Sequence, residues 1–220
     1  IFINNAVFMF QGVFNTLGRL WDSTIGQVIK INSEIEDYIT RLKVSTGTLR
    51  QARAVWEDVS KFATESVYGF DESVQAATAL LPILRNGREE LKTWLPVIGD
   101  IAAGFGLSYQ EATGNFIKAY AGGVASADLF RERGVSAALG FTPGQKYSGR
   151  ETADQILKEW NSVNSVFRGA AGELSKNWSG ILNKLSDQWF LWIKDIGEAD
   201  LFKDMKFALQ FALDKFEALR

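Results

Sequence analysis

An all-α chain is what this sequence predicts: a long coiled-coil-like N-terminal helix, then a helical bundle, then further amphipathic helices. Three observations predict it. Apolar residues recur at three- and four-residue steps almost throughout, no run alternates apolar and polar residues as a half-buried strand would, and only 3 of the 220 residues are proline. With 46% apolar and 23% charged residues, the chain has the composition of an ordered polypeptide long enough for one core or two small ones.

The elements follow in order. From Phe14 to Leu42 apolar residues keep a heptad step, Phe14, Trp21, Val28, Ile35 and Leu42, with a second row at Ile25 and Ile39 and Asn32 between them. This is an a/d seam of about four heptads on a helix roughly 40 Å long at ~1.5 Å per residue. A single Asn on such a seam commonly fixes register or strand number. The pattern fits an oligomer seam and, equally, a long helix lying on its own domain. The boundaries expected are a rod over 1–44, a helical domain over 45–197 and a C-terminal amphipathic helix over 198–220.

Ser45-Thr46-Gly47-Thr48 breaks the rod and offers a cap, after which Leu49, Ala52, Trp56, Val59 and Phe62 form a helical stripe. Asp71 opens a helix carrying Val74, Ala77, Leu81 and Leu84 on one side, and Asn86-Gly87 closes it. Trp94, Ile98 and Ile101 mark a helix kinked or begun at Pro96. Ser108 with Glu111 forms a capping box that launches a helix to Tyr120, ended by Gly122-Gly123. A short helix runs from Ser126 to Arg133 and stops at Gly134; Gly140 to Gly149 is a loop or hairpin. Thr152 with Gln155 reads as a second capping box for a helix with Ile156, Trp160 and Val163 on one face. Phe167, Ala171, Leu174, Trp178, Ile181, Leu185, Trp189 and Ile193 fall near one face of the next helix, where Gly169, Gly172 and Gly180 admit another backbone or a bend. Asp200 caps the last helix, striped by Phe202, Met205, Leu209, Ala212, Phe216 and Leu219.

Composition excludes several chemistries. Zero Cys removes disulfides, thiolate nucleophiles and Cys-ligated metals, and zero His removes Ser-His-Asp catalysis and the commonest metal ligand. The 24 basic and 26 acidic residues do not gather into blocks, so no nucleic-acid-binding face is marked and no specific nucleic-acid recognition is expected. Acidic residues fall beside basic ones on polar helix faces, as in Glu57-Asp58-Lys61 and Glu89-Glu90-Lys92, the pattern of solvated faces rather than of a paired-carboxylate glycosidase. Gly104-Phe105-Gly106 has Tyr109 at the third glycine's place and no strand before it, so it is not a dinucleotide loop.

The chain starts at Ile1, which suggests a piece of a longer protein or a processed product. IFINNAVFMFQGVFNTLG, residues 1–18, carries no charge, but Asn4, Asn5, Gln11 and Asn15 would need partners in lipid, so an amphipathic or oligomer-buried helix is expected there.

The specific residues go further. GTLRQARAVWEDVSKFATES (47–66), GFDESVQAATALLPILRNG (69–87), LPVIGDIAAGFGLSYQEATGNFIKAYAGGVASADLFRERGV (95–135) and FRGAAGELSKNWSGILNKLSDQW (167–189) stand in that order. The order resembles the tape-measure domain of the tail-length proteins of tailed bacteriophages and related prophages. In that family an "AR..F..L..FA..T" helix precedes an "LGD.AA..G.S" helix and an "EEL..L.E.GIP" turn, and an "F.GAA..LS.T..G.LSNL.D" helix follows. The resemblance spans roughly Thr46 to Gly197, with Val67-Tyr68, Ser136 and Trp178 departing from the family pattern.

The resemblance implies a structural virion protein in the tail-tube lumen or tail tip, present in the host cytoplasm during assembly. Such proteins set tail length and leave ahead of the DNA. Some members of that family carry peptidoglycan-cleaving or peptidase domains elsewhere in the chain, but the residues for that chemistry are missing from this sequence, so no enzymatic activity and no cofactor are expected. Expected partners are further copies, with a trimer favoured, the tail-tube protein, distal tail or baseplate hub proteins, tail assembly chaperones and, during ejection, the host membrane. The seam would be Phe14, Trp21, Ile25, Val28, Asn32, Ile35, Ile39 and Leu42; Trp178, Trp189, Trp192 and Ile193 are candidates for a partner or membrane contact. A rival reading is a membrane-active helical protein, motivated by residues 1–17 and the interfacial-type cluster Trp189-Phe190-Leu191-Trp192. A more distant one is a peptidoglycan-degrading virion enzyme built on paired carboxylates.

Overall fold

Gly47 and Thr48 turn the chain from the first described helix into the second. In the computed structural model, which describes residues 24–198, α1 (Thr24–Thr46) stops one residue before Gly47, whose φ is +81°. Thr48 is extended, and its hydroxyl accepts from the Gln51 amide at the start of α2 (Leu49–Glu65). Eight further helices follow: α3 (Phe70–Leu80), α4 (Arg88–Phe105), α5 (Tyr109–Gly122), α6 (Asp128–Arg131), α7 (Arg133–Ala138), α8 (Gly149–Trp160), α9 (Ala170–Leu174) and α10 (Trp178–Glu198). A 3-10 turn, Val124–Ser126, precedes α6, and the described residues contain no strand. The protein is all-α.

Residues 38–187 form one compact unit, and the described residues 24–37 and 188–198 belong to another. The boundary falls inside α1 and near the middle of α10. In the larger unit α4 is the central helix. Leu91, Trp94, Leu95, Val97, Ile98, Gly99, Asp100, Ile101 and Ala102 are all buried. A helix apolar nearly all round must be covered on all sides, and α2, α3, α5 and α9 pack against it. α2 turns Ala52, Val55, Trp56, Val59 and Ala63 inward; Leu49, expected on that stripe, lies 46% exposed. Tyr38 of α1 stacks on Trp56, with ring centroids 5.6 Å apart, and Leu42 is fully buried.

Several sequence-level boundaries move. Gly69, not Asp71, caps α3, and the helix ends at Leu80: Leu81 still has helical dihedrals, φ −49° and ψ −42°, but Pro82 supplies no amide to continue the ladder. Leu81 and Leu84 remain buried beyond the helix end. α4 begins at Arg88 and runs through Pro96 instead of starting there. The Ser108–Glu111 capping box is present as expected. The second box is Ser148 with Glu151, not Thr152 with Gln155: the Ser148 hydroxyl accepts from the Glu151 amide, and buried Thr152 donates to the Ser148 carbonyl at 2.8 Å. Gly134 lies inside α7 rather than ending the preceding helix.

The segment from Phe167 to Gly197 is two helices. Turn hydrogen bonds from Lys176 to Glu173 and from Asn177 to Leu174 close α9 before α10 begins. A Cβ at Gly180 would lie 2.5 Å from the Ser175 Cα and 2.6 Å from its carbonyl oxygen, so this glycine lets the backbone of the preceding turn approach. The expected single apolar face from Phe167 to Ile193 is therefore broken between Leu174 and Trp178. Residues 1–23 and 199–220, with the apolar first segment and the stripe from Phe202 to Leu219, lie outside the described residues.

Candidate functional site

Asp100 is an acidic residue in an otherwise apolar stretch, Leu95 to Ala103, and it is only 5% exposed. Burying a carboxyl is costly unless its oxygens are hydrogen-bonded. Its partners come from far along the chain. Oδ2 accepts from the Trp160 indole Nε1 at 2.8 Å and from the Gly169 amide at 2.7 Å; Oδ1 accepts from the Ala171 amide at 3.0 Å.

Local structure aims these donors. Trp160 is the last residue of α8. Gly169, at φ +82° and ψ 2°, is the left-handed residue before α9, and the Gly169 and Ala171 amides both reach the same carboxyl group. The Arg168 guanidinium lies over the Trp160 ring, 4.7 Å from its centre. Phe167 is 1% exposed and sits so close to α4 that a Cβ on Gly104 would come within 2.9 Å of its own Cβ.

Beside this clasp is a tyrosine pair. Tyr68 and Tyr109 stack with centroids 4.4 Å apart; Tyr68 donates to the Gly99 carbonyl at 2.9 Å and Tyr109 to the Leu95 carbonyl at 3.0 Å. Burial, then the charges of Glu72 and Asp100, raise the Tyr68 phenol well above its usual value; burial does the same for Tyr109. Both hydroxyls stay protonated at neutral pH and serve as fixed donors to α4. With both Asp100 oxygens engaged, this centre is built to hold segments together.

Neither a protein-family model, nor a curated protein, nor a solved structure matches this chain.

The expected seam residues are placed as follows. Val28, Asn32, Ile35 and Leu42 are buried by this chain alone, and Ile39 is half-buried. The Asn32 amide donates to the Val28 carbonyl at 2.9 Å, one turn back in its own helix. An oligomer built on this seam would have to compete with that packing. Phe14 and Trp21 lie outside the described residues, as does the side chain of Ile25. Trp178, Trp189, Trp192 and Ile193 all fall on α10, but their side chains lie outside what is described. No described helix is long and apolar enough to cross a membrane. Among the described residues no group of carboxylates is arranged to hold a metal ion.

One further acid on α10 carries a pH prediction. Asp187 is 8% exposed, and burial pushes its carboxyl up to about 6. The folded protein thus holds this proton more tightly than the unfolded chain, so the stability linked to it is complete below about pH 4 and is lost as pH rises through about 6. Asp187→Asn should leave stability at pH 4 unchanged and raise it at pH 7.5 by about 1–2 kcal/mol after allowance for solvent screening. Urea denaturation at the two pH values checks this; an equal effect at both would show that the carboxyl's charge is not the cause.

The residues alone place Asp100 inside a motif without singling it out. The available signal was the acid itself, flanked by Ile98 and Ile101 at core spacing.

Proposed function

We propose that this chain is a structural segment of a phage-tail tape-measure protein, lying in the tail-tube lumen, setting tail length during assembly and leaving ahead of the DNA. One observation carries the reading. Two of the four stretches that carry the resemblance contain Ile98-Gly99-Asp100-Ile101-Ala102-Ala103 and Phe167-Arg168-Gly169-Ala170-Ala171, and these are joined through the Asp100 carboxylate at 2.7 and 3.0 Å. A motif pair that closes on one buried group supports a single domain rather than chance similarity at two places, because each half supplies what the other leaves unsatisfied. The all-helical architecture is consistent with it.

On this reading the partners are other copies of the chain, tail-tube protein, distal tail or hub proteins and assembly chaperones. The host membrane becomes a partner only during ejection. The test is genetic and visual. In-frame deletions in helical stretches of the encoding reading frame, outside residues 38–187, should shorten tails by about 1.5 Å per residue removed, measured by electron microscopy. Tails of unchanged length from a stably expressed deletion protein would refute the proposal.

A further inference from the structure

We propose that Asn86 is a site of spontaneous covalent modification, where the folded chain converts an asparagine to aspartate and isoaspartate through attack by the Gly87 backbone nitrogen. Asn86-Gly87 is the sequence's one Asn-Gly pair. It lies in the turn that leads into α4. The reaction needs a side-chain amide free to turn toward the next residue, a following backbone nitrogen not committed elsewhere, and room for the two to meet. Asn86 is exposed, and its side chain makes no hydrogen bond. Its carbonyl accepts from the Glu89 amide at 3.2 Å, which shapes the turn without engaging the side chain. The Gly87 amide donates to no acceptor. At φ +48° and ψ −116°, Gly87 has no atom within 4 Å of where a Cβ would stand, so its nitrogen lies open to the Asn86 Cγ.

Among the described residues no other asparagine meets all three conditions. The side-chain amides of Asn32, Asn115 and Asn161 each donate to a carbonyl one turn back, of Val28, Glu111 and Leu157, at 2.9 Å. That of Asn183 donates to the Val67 carbonyl at 3.3 Å. Asn164 is followed by Ser165, whose amide is already given to the Ser162 carbonyl at 3.1 Å, and the amide after Asn161, that of Ser162, is given to the Glu159 carbonyl at 3.1 Å. Asn177 is followed by tryptophan rather than glycine.

The chemistry is closed in atoms and electrons. The Gly87 nitrogen gives its proton to solvent base, attacks the Asn86 Cγ and expels the side-chain nitrogen as ammonia, which closes a five-membered succinimide. Water then opens the ring. Breaking the bond from nitrogen to Cγ leaves aspartate; breaking the bond from nitrogen to the main-chain carbonyl carbon leaves isoaspartate. In sum one water is taken up and one ammonia released, with no oxidant or reductant. Both products place a carboxylate beside the start of α4, the central helix, and isoaspartate also carries the main chain through Cβ, lengthening the turn by a methylene. The reaction requires only this turn, not a place in a phage tail.

The test follows the purified, folded chain over days in mildly alkaline buffer. Peptide mapping by mass spectrometry reads each asparagine, and methylation by an isoaspartyl methyltransferase counts isoaspartate. Conversion at Asn86 should run at least about tenfold faster than at Asn161 or Asn164, yield both products, and speed up as the pH is raised, because the attacking nitrogen must lose its proton. Gly87→Ala, whose methyl group shields that nitrogen, should slow conversion about tenfold. Asn86→Gln, whose longer side chain would have to close a six-membered ring, should leave the peptide unmodified, and it breaks no contact of the folded chain. Conversion at Asn86 in urea but not in the folded chain would overturn the proposal by showing that the turn protects the pair. So would equal rates at Asn86, Asn161 and Asn164, or aspartate formed without isoaspartate, since the succinimide gives both.

Discussion

Asp100→Asn lowers the free energy of unfolding by about 2–4 kcal/mol, the cost expected when a buried donor is left facing another donor. The carboxylate accepts three hydrogen bonds, two on Oδ2 and one on Oδ1. An asparagine offers one oxygen and one amide group. Turned one way it confronts the Ala171 amide with its own N–H groups; turned the other way it confronts both Trp160 and Gly169. No orientation satisfies all three. Trp160→Phe removes a single donor while retaining most of the ring beneath Arg168, and should cost about 1 kcal/mol. Urea denaturation followed by circular dichroism measures both. An Asp100→Asn loss no greater than that of Trp160→Phe would mean that the backbone donors contribute nothing, and the clasp would not be what holds α9 to α4.

Gly123→Ala should be the most damaging of the glycine substitutions, with a loss of about 3–5 kcal/mol or failure to fold, because backbone strain and steric overlap act together. Gly123 ends α5 at φ +86° and ψ 171°, a region in which essentially only glycine is found. A Cβ there would run into the Tyr147 carbonyl oxygen. That contact is reciprocal in form: a Cβ on Gly149 would run into the Tyr120 carbonyl, so residues 147–149 cross tightly over the end of α5. Backbone cannot retreat as the tip of a flexible side chain can. Gly144→Ala separates the two causes, since Gly144 has φ +80° but nothing lies within 4 Å of where its methyl group would stand. It should lose only about 1–2 kcal/mol. Thermal unfolding of both variants beside the unsubstituted chain checks the order; equal losses for Gly123→Ala and Gly144→Ala would attribute the effect to φ alone.

The crossing at Gly149 also explains which of two nearby capping signals prevailed. Ser148-x-x-Glu151 and Thr152-x-x-Gln155 each offer a hydroxyl three residues before a side chain able to reach back. The chain enters α8 pressed against the Tyr120 carbonyl at Gly149, and Ser148 is extended there, at φ −65° and ψ 168°. Thr152, four residues on, is already buried in the first turn. Gln155 is then free for another task, donating to the Leu139 and Gly140 carbonyls at 3.2 Å. Similarly, Val163 shares a face with Ile156 and Trp160 only if the helix continues. The indole bond to Asp100 at Trp160 goes with the helix's end there, and Val163 is left in solvent.

Helix formation depends on contacts three and four residues apart, so apolar periodicity, Gly47 and the Ser108–Glu111 box were enough to read the all-α class, most helices and some of their ends from the residues alone, whereas the helix expected to run to Asn86-Gly87 ends at Leu80. The pairing of Asp100 with Trp160, Gly169 and Ala171 spans 60, 69 and 71 residues. No local period encodes such a separation. The same holds for the approach of Tyr147 to Gly123 and for the exposure of Val163. These emerge only when α4 is enclosed on all sides and each buried polar atom must find a partner, a requirement set by the packed chain as a whole.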